Sequence, residues 1–292
     1  MSGEIIEIER FLTSCKVDEA INHALEIPQA KCEISHFFGP GIYIRQAIVS
    51  AGVFAIGQIH RTSCTNVFIK GRVTVIKDDK STVELVAPMT FVSPPGRNIG
   101  YITEDMIWQN IYATDETDIE KLEAMHLDMN DVLYLANKDK KIEVDRTDDL
   151  ADYALLLEER GMTEEQVREI VENHSDMIPM PYGMYKFTIA DSAIQGRGVF
   201  AVSDISEGEI IATARINNSR TPIGRYTNHS KNPNAVPRLN GIGGIDIIAN
   251  RDIQGSRGGF DGEEITLDYR QSQSESTKLD KELACHHLSL HS

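Results

Sequence analysis

The sequence predicts a mainly β protein of the α+β class, with two β-rich domains joined by an acidic helical linker. Three observations predict it. Between Gly39 and about Thr114, short runs of β-branched and aromatic residues alternate with Gly, Pro and Asp-Lys-Ser clusters. From about Asp118 to His174, helical periodicity replaces that texture. After Tyr185, strand-like runs return between glycine-rich turns. A chain of 292 residues suits two domains rather than one core.

Residues 1 to about 35 read as helical. Ile5, Ile8, Phe11 and Leu12 recur at helical spacing, as do Val17, Ile21 and Leu25, and Pro28 ends the pattern. Strands are expected at Ile42–Ile44, Val53–Ile56, Asn66–Ile69, Arg72–Ile76, Val83–Val86 and Ile107–Tyr112. Many short strands with frequent turns suggest a barrel or jelly roll. A short amphipathic helix is expected over Asp118–His126, then a charged irregular stretch over 128–146. Another helix runs from about Leu150 to Arg160, capped by Asp148 or Asp149 and stopped by Gly161. The next starts at Thr163, where Thr-Glu-Glu-Gln is a capping box, and ends near His174. Pro179 and Pro181 mark a boundary. Lys278–Leu283 reads as a short terminal helix in an otherwise disordered tail. The expected domains are 1–125, a linker at 126–181, a second domain at 182–271 and a tail at 272–292.

Composition bounds the function. The apolar and charged fractions, 41% and 25%, are those of a globular chain. Apolar runs such as Ile42–Ile48 are interrupted by Arg45 and Gln46, so no membrane span is expected. The acidic N-terminus does not read as a signal peptide, and a cytoplasmic protein is expected. Cys15, Cys32, Cys64 and Cys285 form no Cys-x-x-Cys pair and read as free thiols. A formal charge of −16 argues against nucleic-acid binding. The excess is densest between Asp128 and Asp176, whereas Tyr182 to Arg270 carries as many basic as acidic residues. That acidic stretch reads as a solvated face or as an attraction for a basic protein partner.

The run from Gly41 to Ile76, followed by Leu85–Tyr101, resembles the cupin family, in particular cupin-like proteins of bacteriophages. Gly57 and Gly71 stand where that family turns between strands, and Pro95-Gly96 matches its second motif. The resemblance implies a jelly roll without the family's metal. His60 stands at the first ligand position, but Thr62 replaces the second, Asn66, Val67 and Phe68 span the Glu position, and Ile99 replaces the last His. A scaffold or assembly surface, with self-association through this domain, is the expected role, and a metal-free small-molecule site inside the barrel is the alternative.

Three segments downstream resemble the SET domain. They are Ile194–Ala201 with Gly208–Ile211, then Arg225–Asn234 containing Asn228-His229-Ser230, then Ile247–Ile253 with Gly262–Tyr269. The resemblance implies a SET β-fold that transfers methyl from S-adenosylmethionine to a protein lysine. It assigns Gly196, Arg197, Gly198, Tyr226, Asn228 and His229 to the cofactor and Tyr269 to the methyl-transfer channel. The chemistry demands alignment of donor sulfur, methyl and a neutral amine, and glycines let backbone approach a ligand closely. Two departures stand out. Ala214 occupies a position where the family has Tyr, and only Ala212–Gly224 replaces a longer insert that walls the substrate groove. The expected function is therefore a SET-type protein-lysine methyltransferase, with a catalytically degenerate protein serving virion assembly or host interaction as the alternative. Cys285, His286, His287 and His291 are candidate zinc ligands, weighed against a disordered tail.

Overall fold

A computed structural model describes residues 17–26, 29–76, 81–138, 147–256 and 262–289. The chain is mostly β and divides into two compact units. The first comprises Met1–Lys141, Tyr182–Met184 and Ser256–Asp261, and the second Ile142–Pro181, Tyr185–Gly255 and Gly262–Ser292. The segment 126–181, expected as a linker, is thus divided between the two. No helix among the described residues is long and apolar enough to cross a membrane.

The first unit begins with α1 (Val17–Glu26), which carries the Val17, Ile21, Leu25 periodicity. Ile5 to Leu12, Cys15 and Pro28 lie outside the described residues. Its strands are β1 (Cys32–Gly39), β2 (Ile42–Val49), β3 (Phe54–Ile56), β4 (Cys64–Ile76), β5 (Thr82–Val86), β6 (Met89–Ser93) and β7 (Ile99–Ala113). Helices α2 (Ile119–His126) and α3 (Val132–Lys138) follow. Among the described residues the sheet order is β5-β4-β7-β2-β1, with β3 on β7 and β6 on β4. These strands pair antiparallel, β1 with β2, β2 with β7, β3 with β7, and β4 with β5, β6 and β7.

Several expectations change here. Cys32 to Ser35 is strand rather than the end of a helix, because Ile34 and Phe38 are buried on the strand's inner face. The runs 66–69 and 72–76 are one strand, β4, whose register slips between Phe68 and Val73. Gly71 sits inside that irregularity at φ +102° rather than in a turn, and a Cβ there would meet Asp105 O at 2.5 Å. Val132–Lys138 is helical where irregular chain was expected.

Phe68, Ile102, Val73, Val49 and Met106 form the core, with Trp108 packed against it. A polar network runs beside them. Asn66, fully buried, accepts from Trp108 Nε1 (2.9 Å) and Asn110 Nδ2 (2.8 Å) and donates to Ser93 Oγ (2.8 Å). Such groups are tolerated inside because every one is paired.

The second unit opens with α4 (Thr147–Arg160) and α5 (Glu164–Glu172), the latter carrying the Thr163–Gln166 capping box. Gly161 takes φ +62° after α4, as a C-terminal stop requires. Asp148 and Asp149 lie in the first turn of α4 rather than capping it. β8 (Gly183–Tyr185) starts in the first unit's residues, at the edge of that sheet. Then come β9 (Phe187–Asp191), β10 (Arg197–Ala201), β11 (Ile210–Ile216), β12 (Ser219–Arg220), α6 (Pro222–Tyr226), β13 (Asn228–His229), β14 (Ala235–Leu239), β15 (Gly244–Ala249), β16 (Glu264–Leu267) and α7 (Tyr269–Ser289). They build two four-stranded sheets, β13-β16-β10-β9 and β12-β11-β15-β14. Helix α7 runs far beyond Lys278–Leu283, so the described tail is helical through Ser289. Cys285 is an exposed free thiol on it, and Cys32 and Cys64 are free as well.

A buried histidine in the first unit sets a pH dependence. His36 is 2% exposed on β1 and its Nδ1 pairs with the Tyr43 hydroxyl at 2.8 Å. Burial first, then the Arg45 charge, lowers its pKa to about 3. The unfolded chain therefore binds more protons below about pH 6.5, so this contribution to stability is complete above that pH and is lost as pH falls toward 3. His60, lowered to about 4 by burial, Arg45 and His126, acts in the same direction. We expect the urea midpoint to fall between about pH 7 and pH 5, and His36→Phe to remove part of the fall. An identical fall in the variant would refute the assignment.

Candidate functional site

The second unit brings the three SET-resembling segments together. Strand β13 pairs parallel to β16, setting Asn228 opposite Thr266 and His229 opposite Leu267. Strand β10 pairs with the same β16, with Val199 opposite Ile265. Residues some 40 positions apart thus become neighbours through one central strand.

Glu264 is the hub, at 5% exposure. Its Oε1 accepts from Ser192 Oγ (2.7 Å) and from Asn228 Nδ2 (2.9 Å). Asn228 Nδ2 also donates to Gln195 O (3.2 Å) and Arg197 O (3.0 Å), the carbonyls on either side of Gly196. Two amide hydrogens are shared by three acceptors, so this side chain is committed within the protein.

The two glycines differ. Gly196 takes φ +51°, and a Cβ there would meet nothing within 4 Å, so open space lies beside the turn. A Cβ at Gly198 would lie 2.2 Å from Glu264 Oε1. Its missing side chain admits the buried carboxylate, not a ligand. The Arg197 guanidinium stacks over the Tyr226 ring at 5.4 Å and donates to Ile189 O (3.2 Å).

His229 is buried and held from two sides. The Tyr269 amide donates to its Nδ1 (3.3 Å), so Nε2 carries the proton and donates to Asp152 Oδ2 (2.9 Å). Asp152 also accepts from Arg270 Nη1 (2.8 Å), and Arg270 first, His229 second, hold its carboxyl below the usual range. One turn earlier on α4, Asp149 accepts from Ser230 Oγ (2.7 Å) and the Lys231 amide (3.0 Å). The i, i+3 spacing aims both carboxylates at one segment.

Tyr269 donates its hydroxyl to Thr227 O at 3.1 Å. Burial, then Tyr153 and Glu264, raises its pKa above the phenol's ordinary value, so it stays protonated at neutral pH. Its ring meets Tyr153 edge-on at 6.4 Å. Tyr269, Thr227, Gly224 and Ala214 line a cleft of about 630 Å³. Gly224 faces the Ala214 carbonyl so closely that a Cβ would overlap it. Of the sequence-expected residues, only Tyr269 reaches this cleft; Gly196, Arg197, Tyr226, Asn228 and His229 do not line it.

As a fit for S-adenosylmethionine, the turn divides. Gly196, Arg197 and Tyr226 leave room and a cation–aromatic surface, while Gly198, Asn228 and His229 act one step back, bracing the turn and its strand. Glu264, Asp149 and Asp152 are partners whose roles sequence spacing does not mark. Nothing local marks Glu264 as buried, Asp149 reads only as a candidate helix cap, and Asp152 reads as part of an acidic stretch.

In the first unit, His60 Nδ1 pairs with the Tyr112 hydroxyl (3.0 Å), and Thr62 Oγ1 with His126 Nδ1 (3.1 Å). Ile99 pairs in the sheet opposite Ile56 and Ile76. Among the described residues, no cluster of three or more His, Cys, Asp or Glu has metal-binding geometry. A cavity of about 280 Å³ lies in this unit, lined by Arg45, His60, Val73 and Trp108 among others.

Removing the Asn228 amide should test the hub. Asn228→Ala leaves a buried carboxylate short of a donor and frees two carbonyls, and should lower unfolding free energy by about 3 kcal/mol in denaturant titration. A loss below about 0.5 kcal/mol would show that the turn is held otherwise.

No known family's model matches the sequence, and no curated protein does. Solved structures give partial likenesses. One is an RmlC-like cupin protein with a double-stranded β-helix fold from Methanocaldococcus jannaschii, 11% identical over 32% of this chain and 87% of that chain, with a TM-score of 0.26. A cupin domain from Bordetella pertussis is 10% identical over 30% and 98%, at 0.25. A double-stranded β-helix protein from Klebsiella pneumoniae is 14% identical over 33% and 88%, at 0.26. At such scores these likenesses carry no argument about this chain.

Proposed function

We propose that the second unit is a SET-like domain that transfers methyl from S-adenosylmethionine to a protein lysine. One observation carries the reading. The turn around Gly196, the Asn228-His229 segment and Tyr269 are joined by direct hydrogen bonds from Asn228 to Gln195 O and Arg197 O and from Tyr269 to Thr227 O. S-adenosylmethionine, when bound beside Gly196, Arg197 and Tyr226, supplies an electrophilic methyl. The remaining work belongs to the chain. Tyr269, protonated and fixed on Thr227 O, orients the incoming nitrogen rather than removing its proton. The cleft it lines excludes bulk water from one side of the acceptor. Ala214 leaves that cleft wider than a Tyr would.

A second reading has its own observation. Asp149 and Asp152 already occupy the polar groups of His229, Ser230 and the Lys231 amide. That closure favours a catalytically degenerate protein with an assembly role. The first unit we read as a cupin-like jelly-roll scaffold, since His60 is engaged by Tyr112 and Thr62 and Ile99 offer no imidazole.

Calorimetric titration with S-adenosylmethionine, followed by mass spectrometry of candidate proteins, tests the first reading. Binding is expected, and Tyr269→Phe should retain it while lowering methyl transfer by about tenfold or more. No heat at about millimolar cofactor would end the methyltransferase reading and leave the assembly role.

A further inference from the structure

The cleft beside Tyr269 is cationic although the chain as a whole carries −16. Four guanidinium groups line it, from Arg160, Arg215, Arg220 and Arg225, against two carboxylates, Asp176 and Asp280. They come from four separate elements or connections of the second unit, so no local run of sequence announces them.

The pairing within the cleft leaves charge over. Arg215 has its own partner, Asp280, at 2.6 Å. Arg220 and Arg225 share Asp176, and the Arg225 side chain is only 1% exposed. Arg225 completes itself on the Ile170 carbonyl (2.5 Å), while its Nε is buried with no partner. Arg160, exposed at the rim, donates to the Tyr269 carbonyl (3.3 Å) and has no carboxylate partner among the described residues. Arg220 responds to this crowding. Its pKa is lowered by burial first and then by Arg225 and Arg215, with Asp176 opposing. Between these charges the walls are apolar, with Leu156, Val167, Ile170, Pro237 and Ile245.

A site of about 630 Å³ is large enough for a ligand or several peptide residues. Surplus guanidinium groups at its wall match carboxylates, which they bind in a fork geometry. Of the carboxylates outside the lining, Asp152 and Glu159 are paired with Arg270 and Glu264 is bonded to Ser192 and Asn228, while charges more than about 10 Å away are screened at ordinary salt. The same positive wall also disfavours an ammonium and so favours the neutral amine that methyl transfer needs.

We propose that the cleft recognises an acidic peptide segment, one in which carboxylate side chains flank an apolar residue and the acceptor lysine. The substrate class rests on the reading of Tyr269 as the acceptor-side residue; the charge preference of the cleft does not. Basic peptides are excluded by the arginine wall, and neutral ones gain only the apolar contacts.

Isothermal titration of the 292-residue chain tests this with three capped, unlabelled peptides. Their sequences are Glu-Leu-Lys-Leu-Glu, Gln-Leu-Lys-Leu-Gln and Lys-Leu-Lys-Leu-Lys. The acidic peptide should bind at least about tenfold more tightly than the neutral one, and the basic peptide should give no heat. The advantage should shrink severalfold at about 0.5 M salt. Arg160→Gln and Arg220→Gln should each reduce it about threefold or more while the thermal transition stays intact. Equal binding of acidic and neutral peptides, preference for the basic one, absence of binding by all three, or an advantage unchanged in both variants would overturn the proposal. Because binding is read without cofactor, the two failures separate. Acidic preference with no methyl transfer refutes the methyltransferase reading alone, whereas methyl transfer without acidic preference refutes the charge assignment alone.

Discussion

The second unit depends on one buried carboxylate. Glu264 lies on the central strand β16 and would be costly to bury unpaired. It is satisfied by Ser192 and Asn228, and the space for it exists because Gly198 has no side chain. Asn228 in turn ties the carbonyls on both sides of Gly196. A single charge therefore fixes the turn, the strand β10 and the segment β13 against one another. The position of Tyr269 follows, because its hydroxyl hangs on the carbonyl just before Asn228 and its amide on His229.

The same logic organises the first unit around neutral groups. Asn66 distributes its donors and acceptors among Trp108, Asn110 and Ser93. The network lies beside an apolar core. His60 and His126 stack with Tyr112 and hydrogen-bond to neutral hydroxyls. Imidazoles used in this way are held neutral, and they tie the unit's stability to pH.

Charge is segregated within the second unit. Acidic residues on α4 turn inward onto His229, Ser230 and Arg270, so part of what reads as a solvated acidic face is in fact a set of internal partners. The cleft beside Tyr269 collects arginines instead. Net charge describes long-range attraction, but the local field at a site depends on which few groups the fold gathers there.

What the sequence determined by itself was local. The β-rich texture, the capping box at Thr163, the stop at Gly161 and the order of the Gly-x-Gly, Asn-His-Ser and Asp-Tyr segments all depend on neighbours a few residues apart, and they were legible for that reason. The strand at Cys32–Gly39 was not, since Ile34 and Phe38 mark a strand only once a sheet buries them. Nor was the length of α7, because helix propensity along a polar run does not say where packing continues. The candidate site was half legible. Its residue types and order could be read, but their roles could not, because Gly198, Asn228 and His229 take theirs from Glu264 and Asp152, which lie between 36 and 77 positions away in the chain. Only the tertiary structure decided that, and only it gathered Arg160, Arg215, Arg220 and Arg225 around one cleft. Electrostatic and packing partners are chosen by proximity in space, which sequence spacing does not encode beyond a helical turn or a strand pair.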